Sequence, residues 1–388
     1  MDELEKTGNT NTSDLEYLKS NNTFIPSSKI LEKVLERKCP TCSGKMRFSA
    51  EKVKLACDYC GYSEDFDKAN DKVAEQSLDS FINLAVQSVP EKDEKHVYNC
   101  GSCGSKTIIG KTEVLVKCSF CGSKNVNEEA FEHNYFQPTG ILPFKIPKSK
   151  AKDQFSKWIK KGIFTPSSLN TKAVLGELKG IYLPFWTYDA HTITQYQGYA
   201  GYNKSTTQQQ IVNGKMTPVQ VKKTEWEYKS GEKEIYFDDV LVNASKGLKQ
   251  EETQSIYPFN LKEVVNFDPQ LLLGWEAEVY STDVKEGYKL AEKAMDNQIN
   301  NVCLSLIGGD IQKDVHVFTN KSKQTFKHII LPIWICTYFF NDKSFLFLIN
   351  GQTGKIYGKK PNSPLKIALA IGLTILFIAI LYFVATNR

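Results

Sequence analysis

Histidine is scarce in this 388-residue sequence, which contains only five. They lie far apart, and none has a partner at the spacing of a metal ligand or of an activated nucleophile. Asp189 and His191, close to Trp186, come nearest to a polar pocket, but capping or core roles suit them better. Because no catalytic constellation emerges, we predict that the protein is not an enzyme.

A large net charge is also missing. Lys and Arg number 49 against 44 Asp and Glu, which gives a formal net charge of +5. A Zn²⁺ ion held by four thiolates contributes −2, so two such sites would leave the chain at about +1. A strongly cationic surface for DNA is therefore not supported by the overall charge.

The first residues lack the apolar run of a secretory signal. We therefore expect a reducing compartment, in which paired cysteines bind metal more often than they form disulfides. Residues 1–26 are polar and rich in Asn, Thr and Ser, so we expect this segment to be disordered.

Cysteine, in contrast, is abundant and patterned. Eight of the ten cysteines form CxxC pairs in two sets, each with fourteen residues between its pairs, and the second set repeats the first 61 residues later. The two sets are Cys39, Cys42, Cys57 and Cys60, and Cys100, Cys103, Cys118 and Cys121. Two knuckles joined by a hairpin deliver four thiolates to one tetrahedral zinc ion. We predict two structural Zn²⁺ sites in zinc ribbons over residues 36–64 and 98–126.

Other chemistries fit these segments less well. A thioredoxin-like redox site uses a single CxxC at a strand-to-helix junction, and zinc catalysis needs an open coordination position, which four thiolates do not leave. The stretch Gly104–Thr112 resembles a P-loop but has five residues between its glycines instead of four, and the acidic box Asp93–His96 has no P-loop upstream. ATPase or helicase activity is therefore not predicted.

Nucleic-acid binding by the ribbons is left open by their composition. The basic and aromatic residues are Lys38, Lys45, Arg47, Lys52, Lys54, Lys106, Lys111, Lys117 and Lys124, with Tyr59, Tyr62 and Phe120. Basic residues with interleaved aromatics can bind single strands. We favour the alternative of a solvated lysine face, partly balanced by the thiolate charge.

The longest apolar run lies at the C-terminal end. Residues 367–385 contain no charge and would span roughly 28 Å as a helix, close to the hydrocarbon thickness of a bilayer. Lys359, Lys360 and Lys366 precede this run, and only Arg388 follows it. The positive-inside rule then predicts a single-pass, tail-anchored membrane protein with most of its chain in the cytoplasm.

Between the ribbons and the anchor, residues 135–358 have the mixed patterns of an α+β body. Residues 65–97 are predicted to be a helical linker, and a second helix begins at the N-cap residue Asp283. The segment "TEWEYKSGEKEIYF" has the alternation of a hairpin turning at its central glycine, and Asn213–Gly214 marks another turn.

The body also contains an internal similarity. The pattern Leu-Pro-x-Trp occurs at Leu183, Pro184 and Trp186 and again at Leu331, Pro332 and Trp334. We predict a duplicated strand–helix–strand module with halves 135–260 and 261–358. Proline within these strands predicts an edge position or a bulge.

Together these segments resemble a family of bacterial membrane-anchored proteins with zinc ribbons of the transcription-factor-IIB type, often labelled as related to primosomal protein N-prime. The resemblance covers roughly residues 36–388 and depends on the two cysteine sets, "ILPFKI", "KGIYLPFWTYDA", "KHIILPIW", "INGQTGKIYGKKPNSPLK" and the terminal span. The helicase label would carry over only through the zinc-binding cysteines, because the motor is absent. The resemblance instead suggests a membrane-surface adaptor that works with flotillin-like or phage-shock-type membrane proteins.

Overall fold

The computed structural model describes residues 37–65, 73–84, 96–108, 117–130, 136–169, 174–175, 178–212, 215–341 and 343–386. The predicted disordered segment 1–26 lies outside these residues. Most of the predicted linker 65–97 does so too.

Sixteen strands are present in the described part of the chain. Their bounds are β1 Met46–Ser49, β2 Lys54–Cys57, β3 Ser63–Glu64, β4 Gln76–Ser77, β5 His96–Cys100, β6 Lys106–Ile108, β7 Val126–Ala130, β8 Gly140–Ile141, β9 Val174–Leu175, β10 Lys179–Val212, β11 Lys215–Asn243, β12 Val265–Asn266, β13 Glu276–Glu278, β14 Ile311–Phe340, β15 Lys343–Asn350 and β16 Ile356–Gly358.

Helices lie between groups of these strands and after the last one. Their bounds are α1 Leu78–Leu84, α2 Lys148–Ile159, α3 Gln250–Gln254, α4 Val284–Ile307 and α5 Pro364–Thr386, with two 3₁₀ turns at Leu261–Glu263 and Pro269–Leu272. The mixed α and β body is therefore confirmed, and α1 lies within the segment predicted as a helical linker.

The strands form two sheets of very different size. The first cysteine set lies on a small antiparallel sheet in the order β1-β2-β3. The second cysteine set lies on the main 13-stranded sheet, in which β6, β5 and β7 continue from β13 of the body. The two ribbons are thus joined to the body in different ways, because only the second shares backbone hydrogen bonds with the body's sheet.

Three very long strands dominate the main sheet, in which β10 pairs with both β11 and β14. β11 pairs with β10 from Asn243 to Lys215 without reversing direction, so the hairpin predicted within "TEWEYKSGEKEIYF" is wrong. Gly231 instead pairs with Tyr196 of β10, whose hydroxyl lies only 2.6 Å from the place a Cβ of Gly231 would take. The turn predicted at Asn213–Gly214 lies between β10 and β11, outside the described residues.

The two prolines of the Leu-Pro-x-Trp pattern lie in central strands, so their predicted edge or bulge position is wrong. Pro184 lies in β10 between the stretches that pair with β13 and β11, and Pro332 lies in β14 between the stretches that pair with β8 and β15. The proline carbonyls accept from Ala244 N and Gly351 N on that side. The missing N–H groups therefore face a gap between two partner strands, where no ladder bond is lost.

The helix α4 begins at the residue that the sequence predicts, and α2 packs one face on the body. Asp283 caps α4 by accepting a hydrogen bond from the Glu286 backbone N–H, and α2 buries Ala151, Phe155 and Ile159. Gly287 allows α4 to approach the sheet closely, because a Cβ there would lie 2.4 Å from the Tyr188 hydroxyl.

The two tryptophans of the repeated pattern make reciprocal contacts. Trp186 Nε1 donates to the carbonyl of Thr282, just before α4, and Trp334 Nε1 donates to the carbonyl of Ile146, just before α2. Leu183 on β10 pairs directly with Leu331 on β14. Each long strand thus holds the helix that precedes the other one.

The helix α5 stands apart from this packing. It is the one helix among the described residues that is long and apolar enough to cross a membrane, with a mean hydropathy of 2.8 and none of its most apolar stretch buried inside the chain.

Candidate metal centres

All eight predicted ligands come together in two groups of four. In each CxxC pair, the backbone N–H of the first cysteine donates to the carbonyl five residues later, and its carbonyl accepts from the N–H four residues later. This pattern recurs in all four knuckles, starting at Cys39, Cys57, Cys100 and Cys118. Each knuckle is therefore the same tight loop, folded by its own backbone.

The residue after the second cysteine of each pair has a positive φ. Gly61, Gly104 and Gly122 adopt φ values of 76°, 76° and 73°, a conformation that glycine reaches without steric cost. Ser43 takes the same place in the first knuckle with φ 59°. The glycines predicted this geometry in three knuckles, and the first knuckle achieves it with serine.

The sulfur positions fit a tetrahedral metal ion. Within each group, the Sγ atoms lie within 4.8 Å of one another. The separations Cys39–Cys60 and Cys42–Cys57 are 3.5 Å, and Cys100–Cys121 and Cys103–Cys118 are 3.6 Å. Sulfurs at 2.3 Å from a tetrahedral zinc ion lie about 3.8 Å apart, whereas a disulfide bond would need about 2 Å. The geometry therefore suits zinc coordination and excludes disulfides within these groups.

Taken as free thiols, the cysteines of the second group already favour a thiolate. The Cys103 thiol lies against the Cys118 sulfur and donates to it, which lowers the pKa of Cys118 to about 4. The same contact raises the pKa of Cys103. Zinc binding would replace these shared protons by one cation that all four sulfurs can ligate.

The first ribbon packs on the body through β1 and leaves its knuckle tips in water. Phe48 N donates to Leu273 O and Trp275 Nε1 donates to Phe48 O, both at 3.0 Å. Cys39 and Cys57 are buried in that contact region, whereas Cys42 and Cys60 are exposed. In this candidate metal site, two cysteines are therefore fixed against the body and the other two lie at the solvent-exposed tip of the ribbon.

The second ribbon is covered more completely. Ser119 Oγ donates to Glu276 at 2.7 Å, and Thr337 Oγ1 donates to the Phe120 carbonyl at 2.7 Å. Gly247 leaves room for the Phe120 ring, because a Cβ there would lie 2.8 Å from Cδ1. This knuckle is thus part of the body's core.

Tyr59 and Phe120 occupy the same position in the two ribbons, between the cysteines of the second CxxC pair. Tyr59 is 80% exposed, whereas Phe120 is 3% exposed. The sequence gives no sign of this difference, because both residues are aromatic and follow the same spacing. Sequence reasoning named Tyr59 only as one of three aromatic residues, and the structure singles it out by its exposure.

Two of the ribbons' basic residues form ion pairs with acidic ones. Arg47 forms an ion pair of 2.8 Å with Asp58, and Lys54 one of 3.1 Å with Asp65. Tyr62 donates its hydroxyl to Glu64 at 3.2 Å. With Phe120 buried, Tyr59 is the one strongly exposed aromatic residue of the three considered for nucleic acid.

The other predicted polar residues do not form a pocket. Trp186 is buried, and His191 stacks on Tyr236 at 4.4 Å while it bonds to Glu234. Asp189 accepts from the Thr325 hydroxyl at 3.1 Å, and burial raises the pKa of this carboxyl group.

Asp189 also belongs to a third cluster, with Asp238 and Asp239, whose carboxylate oxygens lie within 4.8 Å of one another. The Lys327 ammonium lies 2.7 Å from Asp239 and supplies the positive charge there. The two single cysteines, Cys303 and Cys336, are buried. Burial raises the pKa of the Cys336 thiol to about 11, which makes it a poor nucleophile.

Comparison with known proteins gives one relative and no function. No family model matches the chain. Over 340 residues, which cover 86% of the chain and 92% of the relative, it is 28% identical to a Bacillus subtilis (strain 168) protein described as "Uncharacterized protein YdjG". No solved structure matches. Function therefore has to be argued from the sites themselves.

Proposed function

We propose that this protein is a membrane-anchored, cytoplasmic zinc-ribbon adaptor that recruits a protein partner to the bilayer and performs no catalysis. The observation that carries this proposal is the exposed tip of the first ribbon, where Tyr59 projects beside Cys60 from a base fixed to the body. A rigid loop with an exposed aromatic residue is a suitable anchor for a protein surface.

Zinc has a structural role in this proposal. The four thiolates of each ribbon fill a tetrahedral ion's coordination sphere, so the ion would hold the knuckles together and offer no position for water or substrate. The second ribbon would stabilise the body, because its knuckle is buried there. The first would present the partner site, because its knuckle is free.

The membrane anchor is α5. Its 23 residues include the uncharged run 367–385, which is long enough to cross the hydrocarbon core of a bilayer, and none of its most apolar stretch is buried within the chain. The lysines before it favour a cytoplasmic body. Resemblance suggests flotillin-like or phage-shock-type membrane proteins as partners.

The second candidate is a membrane-tethered protein that binds nucleic acid, linked by resemblance to replication or repair. The ion pairs Arg47–Asp58 and Lys54–Asp65 and the burial of Phe120 make it the weaker proposal, because they remove cations and a stacking surface from the ribbons.

Photo-cross-linking from the first ribbon tests the proposal. A photoreactive amino acid replaces Tyr59 in the full-length membrane-bound protein, and Lys52, on the turn of the same ribbon, is the matched control position. We expect a discrete protein adduct from position 59 alone, lost when Cys42→Ser removes a zinc ligand. A nuclease-sensitive adduct would support the second candidate instead. No adduct above the control would overturn recruitment through this knuckle.

We also propose that the body is a duplicated module. The reciprocal bonds of Trp186 and Trp334 and the direct pairing of Leu183 with Leu331 support this, because two copies related by a twofold axis would make the same contacts twice.

A further inference from the structure

The loop after α2 lies at the start of the apolar helix α5 and is bonded to it. Ser363 N donates to the Phe164 carbonyl at 2.7 Å, and Lys366 Nζ donates to the Thr165 carbonyl at 2.8 Å. Lys360 Nζ bonds to the carbonyls of Trp158 and Lys161 and lies 4.3 Å from the centre of the Trp158 ring. If α5 crosses a bilayer, these bonds hold the loop at the level of the lipid headgroups.

This loop exposes apolar side chains where a water-facing loop would be polar. The adjacent residues Ile163 and Phe164 are 84% and 43% exposed. The Thr165 hydroxyl donates to the Gly162 carbonyl at 2.6 Å and closes the turn beneath them. The turn thus presents a fixed pair of apolar side chains beside the membrane-spanning segment.

The surroundings of this apolar pair are strongly basic. Residues 145–166 contain seven lysines and one acidic residue, Asp153. Lys157, Lys160 and Lys161, which lie nearest to the turn in sequence, are exposed, and no carboxylate pairs with them in the described part of the chain. Unpaired lysines around exposed apolar residues suit the interface of a bilayer that contains anionic lipids.

We propose that residues 157–166 form a second membrane contact, in which Ile163 and Phe164 enter the interfacial layer of an anionic bilayer and the adjacent lysines bind lipid phosphates. This contact rests on the proposed anchoring by α5. It would fix the orientation of the body, which a single helix alone would leave free to rotate and tilt. The first ribbon would then be presented at a defined position above the membrane surface.

Depth-dependent quenching in liposomes tests this contact with the full-length chain. An environment-sensitive fluorescent amino acid replaces Ile163 in one protein and Ile375, in the middle of α5, in another. Liposomes contain phosphatidylcholine with or without phosphatidylglycerol, and the nitroxide quencher sits near the headgroups or deep in the acyl chains. We expect about twofold quenching at position 163 by the shallow quencher when phosphatidylglycerol is present, and deep quenching at position 375.

The outcomes separate the two proposals. Deep quenching at 375 without shallow quenching at 163 would overturn the second contact and leave the anchor intact. Failure to quench at 375 would overturn the anchor, and the contact with it. If the fluorescent residue at position 163 becomes shielded from water only when another protein is added, and not when lipid is added, a partner protein covers the loop. That result would also overturn the membrane contact.

Charge substitutions test the part played by the lysines. The variant Lys157→Gln/Lys160→Gln/Lys161→Gln should lose the gain in shallow quenching caused by phosphatidylglycerol. The matched control removes three exposed lysines of β11, Lys222, Lys223 and Lys233, by the same change to glutamine. It should keep the full gain, because none of these bonds to the loop or to α5. Equal behaviour of the two variants would refute specific lipid binding by the loop.

Discussion

Replacing Tyr59 and Phe120 by alanine should lower stability by very different amounts, although the two residues occupy the same knuckle position. Phe120 is 3% exposed and fits against Gly247, whereas Tyr59 is 80% exposed. Truncating a buried phenylalanine costs about 3–5 kcal/mol, because contacts are lost and a cavity remains. An exposed side chain away from such packing contributes within about 0.5 kcal/mol.

The difference is measurable as a thermal unfolding midpoint of the zinc-loaded, detergent-solubilised full chain, followed by tryptophan fluorescence. One kcal/mol shifts the midpoint of a domain of 150–250 residues by about 2–4 °C. Phe120→Ala should therefore lower the midpoint by about 6 °C or more, and Tyr59→Ala by less than about 2 °C. Zinc analysis should give about two ions per chain for both variants, because neither change removes a ligand.

Two results would refute this reasoning. An unchanged midpoint for Phe120→Ala would mean that the second ribbon does not pack on the body. Equal losses for the two variants would mean that both knuckles are buried alike. Phe120→Leu, which keeps most of the apolar area, should recover part of the loss and serves as the control for packing.

Three further predictions concern the body and the metal sites. Burial lowers the pKa of His328 to about 4, so between pH 6.5 and 4 the unfolded chain binds one more proton than the folded chain. Acidification over that range should therefore lower the free energy of unfolding by up to about 3 kcal/mol, as measured by unfolding at each pH. The loss should be smaller in His328→Gln. Trp186→Phe and Trp334→Phe should each cost about 1–3 kcal/mol in denaturant titrations, because each leaves one carbonyl unpaired, and a neutral result for either would contradict its reciprocal role. Cys42→Ser and Cys103→Ser should each reduce the zinc content from about two ions to one per chain. Cys103→Ser should lower the unfolding midpoint more, because the second ribbon shares the main sheet with the body. A larger loss for Cys42→Ser would contradict that difference.

Local sequence determined the parts of this protein whose geometry is local. The CxxC spacing brings four sulfurs together because each knuckle folds through bonds within six residues. Asp283 caps α4 because its side chain reaches an N–H only three residues away. An uninterrupted apolar run similarly makes α5 recognisable without any knowledge of its neighbours.

Local sequence did not determine which strands are central or which strands pair with one another. Pro184 and Pro332 suggested edges, yet both lie inside the sheet, because their missing N–H groups face places where one partner strand ends and another begins. Gly231 suggested a turn, yet it makes room for Tyr196 of the neighbouring strand. Each error arises because a residue's environment was set by a strand distant in the chain.

The same reason explains the two ribbons. Sequence alone determined that each ribbon brings four equivalent cysteines into a group that could hold a metal ion, since the knuckles are local. Only the tertiary structure decided that Phe120 is buried and Tyr59 exposed, because the groups that fix the second knuckle, Glu276 and Thr337, lie more than 150 residues further along the chain. Burial depends on which surfaces meet, and two knuckles with the same sequence pattern can therefore be exposed in one ribbon and buried in the other.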